Sequence, residues 1–356
     1  MSTISPVRIL LCSLLCLASL SAAEVAAQRD QASQLQADGN IKEAYALFQA
    51  ILQQEEAEPA DLQAALECQR RLNQLAEFDE LVEGVVDRHS DDWSMLQACA
   101  KAYGDTQHYG RRIEGTFQRG HHGGDGVWMG SLDYDRTRAL QLCRQAVPLL
   151  PDAGQQTAAV ARFWHEHARL LRLGRPAWRL QERTDLSELP PREESGWWGW
   201  RPGNDRPAPV TADGEPVLYQ EPESWAAAGS DGARWRHCLA MMARSDPSWR
   251  SDALLQRARF AREQFGVQTL LQGGGSWSFP ADPDATQAIW SVESLADDEL
   301  LARLATGVRR FSLPAEQHPI ALGQAAIEAQ PDSRSAARLL GELFLNRRQR
   351  ERAATW

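Results

Sequence analysis

The spacing of small and large apolar residues in residues 32–52, ASQLQADGNIKEAYALFQAIL, is what most limits how this chain can fold. Ala32 and Leu35 share a helical face, Gly39 supplies a turn, and Ala44, Phe48 and Ile51 line a second helix. Small residues at this spacing let two antiparallel helices approach closely, while the larger ones fill the groove towards the next pair. The pattern recurs in degraded form. Leu72, Ala76, Leu81 and Val85 take the equivalent places in QRRLNQLAEFDELVEGVV, with Leu81 37 residues after Ala44. In RALQLCRQAVPLLP the positions fall to Ala139, Cys143 and Ala146, and Pro151 stops the helix. A fourth pair is read in AAVARFWHEHARLLRLGRPAWRLQERTDLSELP, with Gly174 and Pro176 at its turn, Ala177 at the close contact and Pro190 at its stop.

Small–Leu, Gly turn, Ala-x3-Phe is the tetratricopeptide pattern. The expected fold class is therefore all-α: a tetratricopeptide-like α-solenoid of antiparallel helix pairs over residues 28–190, with two long irregular insertions and one short β-hairpin. The first insertion follows from the repeat frame. Ala100 and Tyr103 in WSMLQACAKAY occupy inner first-helix positions. The second-helix alanine should follow about nine residues later. It comes at Ala139, 36 residues after Tyr103. Residues 104–138, which contain RGHHGGDGVWMGSLDYD, are thus read as inserted between two helices of one pair, on a face where such segments often meet partners. The second insertion is 191–232, where Asp213-Gly214 predicts a type I′ hairpin turn and Trp197, Trp198 and Trp200 are expected to lie down over neighbouring helices.

From residue 233 the helical period returns in GARWRHCLAMMAR, SWRSDALLQRARFAREQFG and ADDELLARLATGVRRF, the second ended by Gly266 and the third begun by Ser294 and Asp297. Near the C-terminus, Gly341 and Phe344 are placed at inner first-helix positions and Ala353 at the second-helix alanine. The repeat then stops unfinished at Trp356, which predicts a fragment of a longer polypeptide or a truncated gene product.

The N-terminal residues carry a different signal. Arg8, then ILLCSLLCLASLSAA, then small residues describe a secretory signal peptide over 1–27, cleaved after Ala23 or Ala27. Its apolar run is too short to span a bilayer comfortably. The protein is expected to be exported, periplasmic or extracellular, with no membrane span after cleavage. A hydrophobic content of 43% and a charged content of 24% suit a globular protein, and a net charge of −10 argues against nucleic acid as a partner. All cations but Lys42 and Lys101 are arginines, which is read as coding bias. Cys68, Cys99, Cys143 and Cys238 are too scattered for a disulfide framework and are expected as buried free thiols.

Residues 104–138 hold the residue types that metal sites use. His121 and His122 are adjacent, so an extended chain points them to opposite sides; a metal site would need His108, Asp125, Asp133 or Asp135 to fold back. Zinc spacings and phosphate-binding glycine fingerprints are absent from the sequence. His165 and His167 in FWHEHARLL stand two apart on a helix and face opposite ways. GGGS at 273–276 is a lone glycine run, and Asp297 and Asp298 read as helix-start acids. No catalytic, cofactor-binding or metal-ligating residue is assigned, and no cofactor is expected. A protein or peptide, or the polypeptide's own downstream domains, is the expected partner.

DGNIKEAYALFQAIL, RLNQLAEFDELVEGVV, HYGRRIEGTFQRGHHGG, RTRALQLCRQAVPLL and AWRLQERTDLSELP occur in that order. They are followed by DGEPVLYQEPESWAAAGSDGARWRHCL, QFGVQTL and LADDELLARLATGVRRFSLP. Together they resemble the N-terminal region of large secreted bacterial alpha-2-macroglobulin-like proteins. The resemblance implies a helical region ahead of β-sandwich domains that trap proteases, in many members through a Cys-x-Glu-Gln thioester. The cysteine contexts ECQR, ACAK, LCRQ and HCLA do not carry that motif, so no inhibitory residue transfers. What the resemblance implies is a non-catalytic exported scaffold. Two alternatives stand beside it: a free-standing tetratricopeptide adaptor of the cell envelope, and a metal-dependent enzyme built on the Gly/His insertion.

Overall fold

A computed structural model describes residues 21–121, 126–152, 157–194, 208–265 and 291–356. The chain is 59% helix with a small antiparallel sheet, so it is mostly rather than wholly α. It divides into two compact units, 1–89 and 90–356.

The first unit holds α1 (Ala22–Ala37), α2 (Ile41–Ile51), α3 (Pro59–Arg71) and α4 (Phe78–Arg88). Ser21 begins α1 with a capping box to Glu24, and Val25 in its first turn is fully buried. Ala32 and Ala44 are both buried where α1 meets α2, and α2 packs in turn on α3. Gly39 at φ 88° and Asn73 at φ 58° end the first helix of each pair with the same left-handed turn. In each, the next amide reaches back five residues, Asn40 to Leu35 and Gln74 to Gln69. These equivalent turns are 34 residues apart. Phe78, not Leu81, therefore takes the place of Ala44, and Val82 that of Phe48; the sequence spacing of 37 is corrected accordingly. Arg29 clamps α1 to α3 with two bonds to the buried carboxylate of Asp61, 2.7 and 2.8 Å long. His89 bonds the Leu52 carbonyl at 2.8 Å and so ties the end of α4 to the end of α2.

The second unit contains α5 (Trp93–Asp105), β1 (Tyr109–Ile113), β2 (Thr116–Arg119), β3 (Val127–Gly130), α6 (Leu132–Ala146), α7 (Ala158–Arg172) and β4 (Glu193–Glu194). After these come α8 (Asp231–Ser245), α9 (Arg250–Phe265), β5 (Glu299–Leu304), β6 (Gly307–Ser312), α10 (Pro319–Ala329), α11 (Arg334–Asn346) and α12 (Arg350–Ala354). Each helix from α5 to α12 packs on its neighbour in sequence. Close approach needs small residues: a Cβ on Gly104 of α5 would strike Leu170 of α7, and one on Gly323 of α10 would strike Leu340 of α11. Gly341 does face the Ala353 carbonyl across the last helix pair, where Arg348 at φ 57° makes the turn.

Several expectations need correction. The 104–138 insertion is not irregular: α5 runs on through Asp105, three strands occupy 109–130, and α6 has begun by Leu132. The fourth helix pair lacks its second helix, since Ala177–Gln181 is only a short 3-10 turn and α7 packs on α8 instead. ADDELLARLATGVRRF is a β-hairpin, β5–β6, not a helix, and Asp297 and Asp298 precede a strand. Its apolar run suits both readings because both faces of β5 are buried. Leu300, Ala302 and Leu304 face one cluster with Phe265 and Leu313, while Leu301 faces another with Val292 and Leu295. At Asp213-Gly214 the turn is a three-residue loop between Thr211 and Glu215 with Gly214 alone at positive φ, so it is not type I′. Trp197, Trp198, Trp200, Gly266, the GGGS run and residues 1–20 of the expected signal peptide lie outside the described residues.

Candidate functional site

Strands β1 to β4 form a small antiparallel sheet in the second unit. Glu114 and Gly115, at φ 49° and 83°, form the two-residue turn that pairs β1 with β2. β3 then pairs with the other edge of β1 and with β4, giving the antiparallel order β2-β1-β3-β4. The alternation of strand side chains divides the residues between two faces.

One face carries Tyr109, Arg111, Gln118 and Trp128, none of them fully buried. Arg111 lies opposite Trp128, its guanidinium 4.5 Å from the ring centroid. Tyr109 meets the same indole at 6.1 Å, and the exposed His121 stacks on it at 5.8 Å and 28°. The result is an aromatic platform with a cation held on its π-face. The other face turns towards α6. There Arg192 is sandwiched between Phe117 and Tyr134, at 4.3 and 3.8 Å from their ring centroids. Met129, Pro190 and Pro191 complete a cleft of about 390 Å³ beside them.

A buried clasp holds the sheet to the helices. Arg119, at the end of β2, grips the Asp135 carboxylate of α6 with two bonds of 2.8 Å and donates a third to the Gln107 carbonyl at 2.9 Å. Ser131 donates to the same carboxylate at 2.8 Å, and His108 Nδ1 lies 2.9 Å from it. Burial pushes the Asp135 carboxyl pKa up, but the bonds to His108 and Arg119 more than reverse that and hold it below the usual range. The next residue along α6 anchors the opposite side. Arg136 donates to Asp231, to Thr184 and to the Leu171 carbonyl, each at 2.7 Å, joining α6 to α8, α7 and the chain at Thr184.

His108 and Asp135 are thus brought together, but around a guanidinium rather than an open ligand position. Asp133 pairs with Arg175 at 3.2 Å, and His122 and Asp125 lie outside the described residues. Among the described residues no group of three metal-ligating side chains converges. On α7, His167 is buried and His165 half-exposed, as their two-residue spacing dictates. His165 meets Gln256 at 3.2 Å, while His167 packs between Trp164 and Trp225. All four described cysteines are buried free thiols; burial pushes Cys68, Cys143 and Cys238 up, which keeps them unreactive.

Sequence reasoning missed Arg119 and Trp128. The Glu-Gly pair between YGRRI and TFQR was the available signal for the hairpin that places them; a Gly in a two-residue turn between short strands is the usual hairpin mark.

In comparisons with known proteins, no protein-family model and no curated sequence matches the chain. Among the described residues no helix is long and apolar enough to cross a membrane.

Proposed function

We propose that this chain is a non-catalytic helical scaffold, the N-terminal part of an exported alpha-2-macroglobulin-like protease-binding protein. The inserted sheet is its docking surface, and the partner is the polypeptide's own downstream domains. One observation carries the reading. α5 and α6 pack directly on each other although the sheet intervenes in sequence, and the face bearing Tyr109, Arg111 and Trp128 is left outside the core they form. Tyr, Trp and Arg are the residue types that dominate the energetics of protein interfaces. The tetratricopeptide part of the proposal is supported by the 34-residue interval between the Gly39 and Asn73 turns, which equals the repeat length of that class. Further support comes from the packing of successive helices on their sequence neighbours, as in quasi-one-dimensional arrays. The reading frame past Trp356 tests the proposal: it is expected to encode successive β-sandwich domains, and an immediate stop codon would overturn it.

A further inference from the structure

The loop that leads into β5 and the turn between α11 and α12 meet along a polar seam. On the loop side Val292 and Leu295 pack with Leu301, while Ile320, Leu340 and Phe344 belong to a separate cluster among the helices. Among the described residues these two clusters share no side chain. Hydrogen bonds cross between them instead. Arg347, 2% exposed, donates to the Ala296 carbonyl at 3.0 Å and to the Glu299 carbonyl at 2.5 Å. Gln349 donates to the Glu293 and Leu295 carbonyls at 3.2 and 3.1 Å, and Arg352 pairs with Asp297 at 2.5 Å.

His318 stands at the centre of this seam and is 1% exposed. Its Nδ1 accepts from the Ile320 amide at 3.2 Å, so α10 begins on this ring. The ring proton then belongs on Nε2, which lies 3.2 Å from the Glu299 carbonyl and 3.2 Å from the Arg347 guanidinium. Neutral His318 and Arg347 thus donate together to one carbonyl. A second proton on the ring would displace the Ile320 amide from Nδ1 and leave two buried cations 3.2 Å apart. The charges around the ring come from several elements. Asp297, Asp298 and Glu299 face it from the loop and the start of β5; Arg352 of α12 holds Asp297, and Arg310 of β6 holds Glu299. On the other side, Arg236 of α8 and Arg257 of α9 bond Gln317 and the Glu316 carbonyl, just ahead of the ring. Burial pushes the His318 pKa down to about 4; Arg347 adds to this, and the Glu299 carbonyl and the aspartates oppose it.

We propose that His318 and Arg347 form an acid-released latch: protonation of the His318 ring frees the 293–299 loop from the α11–α12 turn while the helical core stays closed. Apolar clusters on either side remain intact when the seam parts, so opening is local.

The test is hydrogen–deuterium exchange of the whole chain at about pH 7.5 and about pH 5, corrected for intrinsic exchange rates. A ring that ionises at about 4 in the closed latch and about 6.5 once released should lower protection of residues 293–299 and 347–352 by about thirtyfold at the lower pH. Peptides from α2 and α7 should keep theirs. His318→Asn still offers the Ile320 amide an acceptor but takes up no proton, so its seam should be equally protected at both pH values. His167→Phe should leave the drop in place. An unaltered chain whose seam protection ignores pH would overturn the proposal, as would an equal loss across α2 and α7. So would a drop that persists in His318→Asn or disappears in His167→Phe.

Discussion

Asp135 and Arg136 are adjacent, yet one binds the inserted sheet and the other binds α8, so the first turns of α6 act as the junction of two buried networks. Removing one partner of a buried ion pair leaves the other uncompensated. Asp135→Asn should therefore cost about 3–5 kcal/mol in urea unfolding. Removing the exposed Arg70–Glu67 pair should cost under about 1 kcal/mol. His167 sets a pH dependence. Burial, reinforced by Arg234 and His237, pushes its pKa down to about 3. Burial likewise takes His318 down to about 4. Both stay neutral in the native state while the unfolded chain takes up protons below about pH 6.5. Their contribution is fully present above that pH and is lost as pH falls towards 3–4. Stability should decline between pH 6.5 and 4, by up to about 1.4 kcal/mol per pH unit for each histidine. His167→Phe should flatten that slope; an unchanged slope would count against the burial argument. None of these roles was legible from local spacing. Arg119 and Asp135 stand 16 residues apart across a strand and a helix, and only the hairpin register brings them together.

At the scale of elements, legibility followed burial pattern. Helices with one buried face, such as α2 with Ala44, Phe48 and Ile51, declared themselves by period. The β5–β6 hairpin did not, because burial on both faces of β5 removes the alternation that marks a strand. The strands of the sheet were hidden differently: β1 and β2 are short and carry arginines, and β1 contains Gly110, so they read as loop. Gly110 makes this sheet separately testable. A side chain there would collide with the Gln118 main-chain oxygen and the Phe117 ring, and main chain cannot yield as a rotamer can. Gly110→Val should expose residues 109–130 to proteolysis while far-UV circular dichroism keeps its helical signal. Concerted loss of both would show that the sheet is integral to the helical core.

For the whole molecule, the late position of Ala139 in the expected repeat frame marked the segment that the structure folds into β1, β2 and β3. Its histidines drew attention by residue type. The structure shifts the emphasis to their neighbours: His121 is one wall of a platform centred on Trp128, and His108 props a carboxylate held by Arg119. The proposed role of this platform is to dock domains encoded downstream of Trp356. Calorimetric titration of those domains, produced separately, into this chain tests it most directly. Binding should be saturable, and Trp128→Ala should weaken it by at least about 2 kcal/mol, some thirtyfold, with the fold retained. Undetectable binding to the unaltered chain, or full affinity in Trp128→Ala, would contradict it.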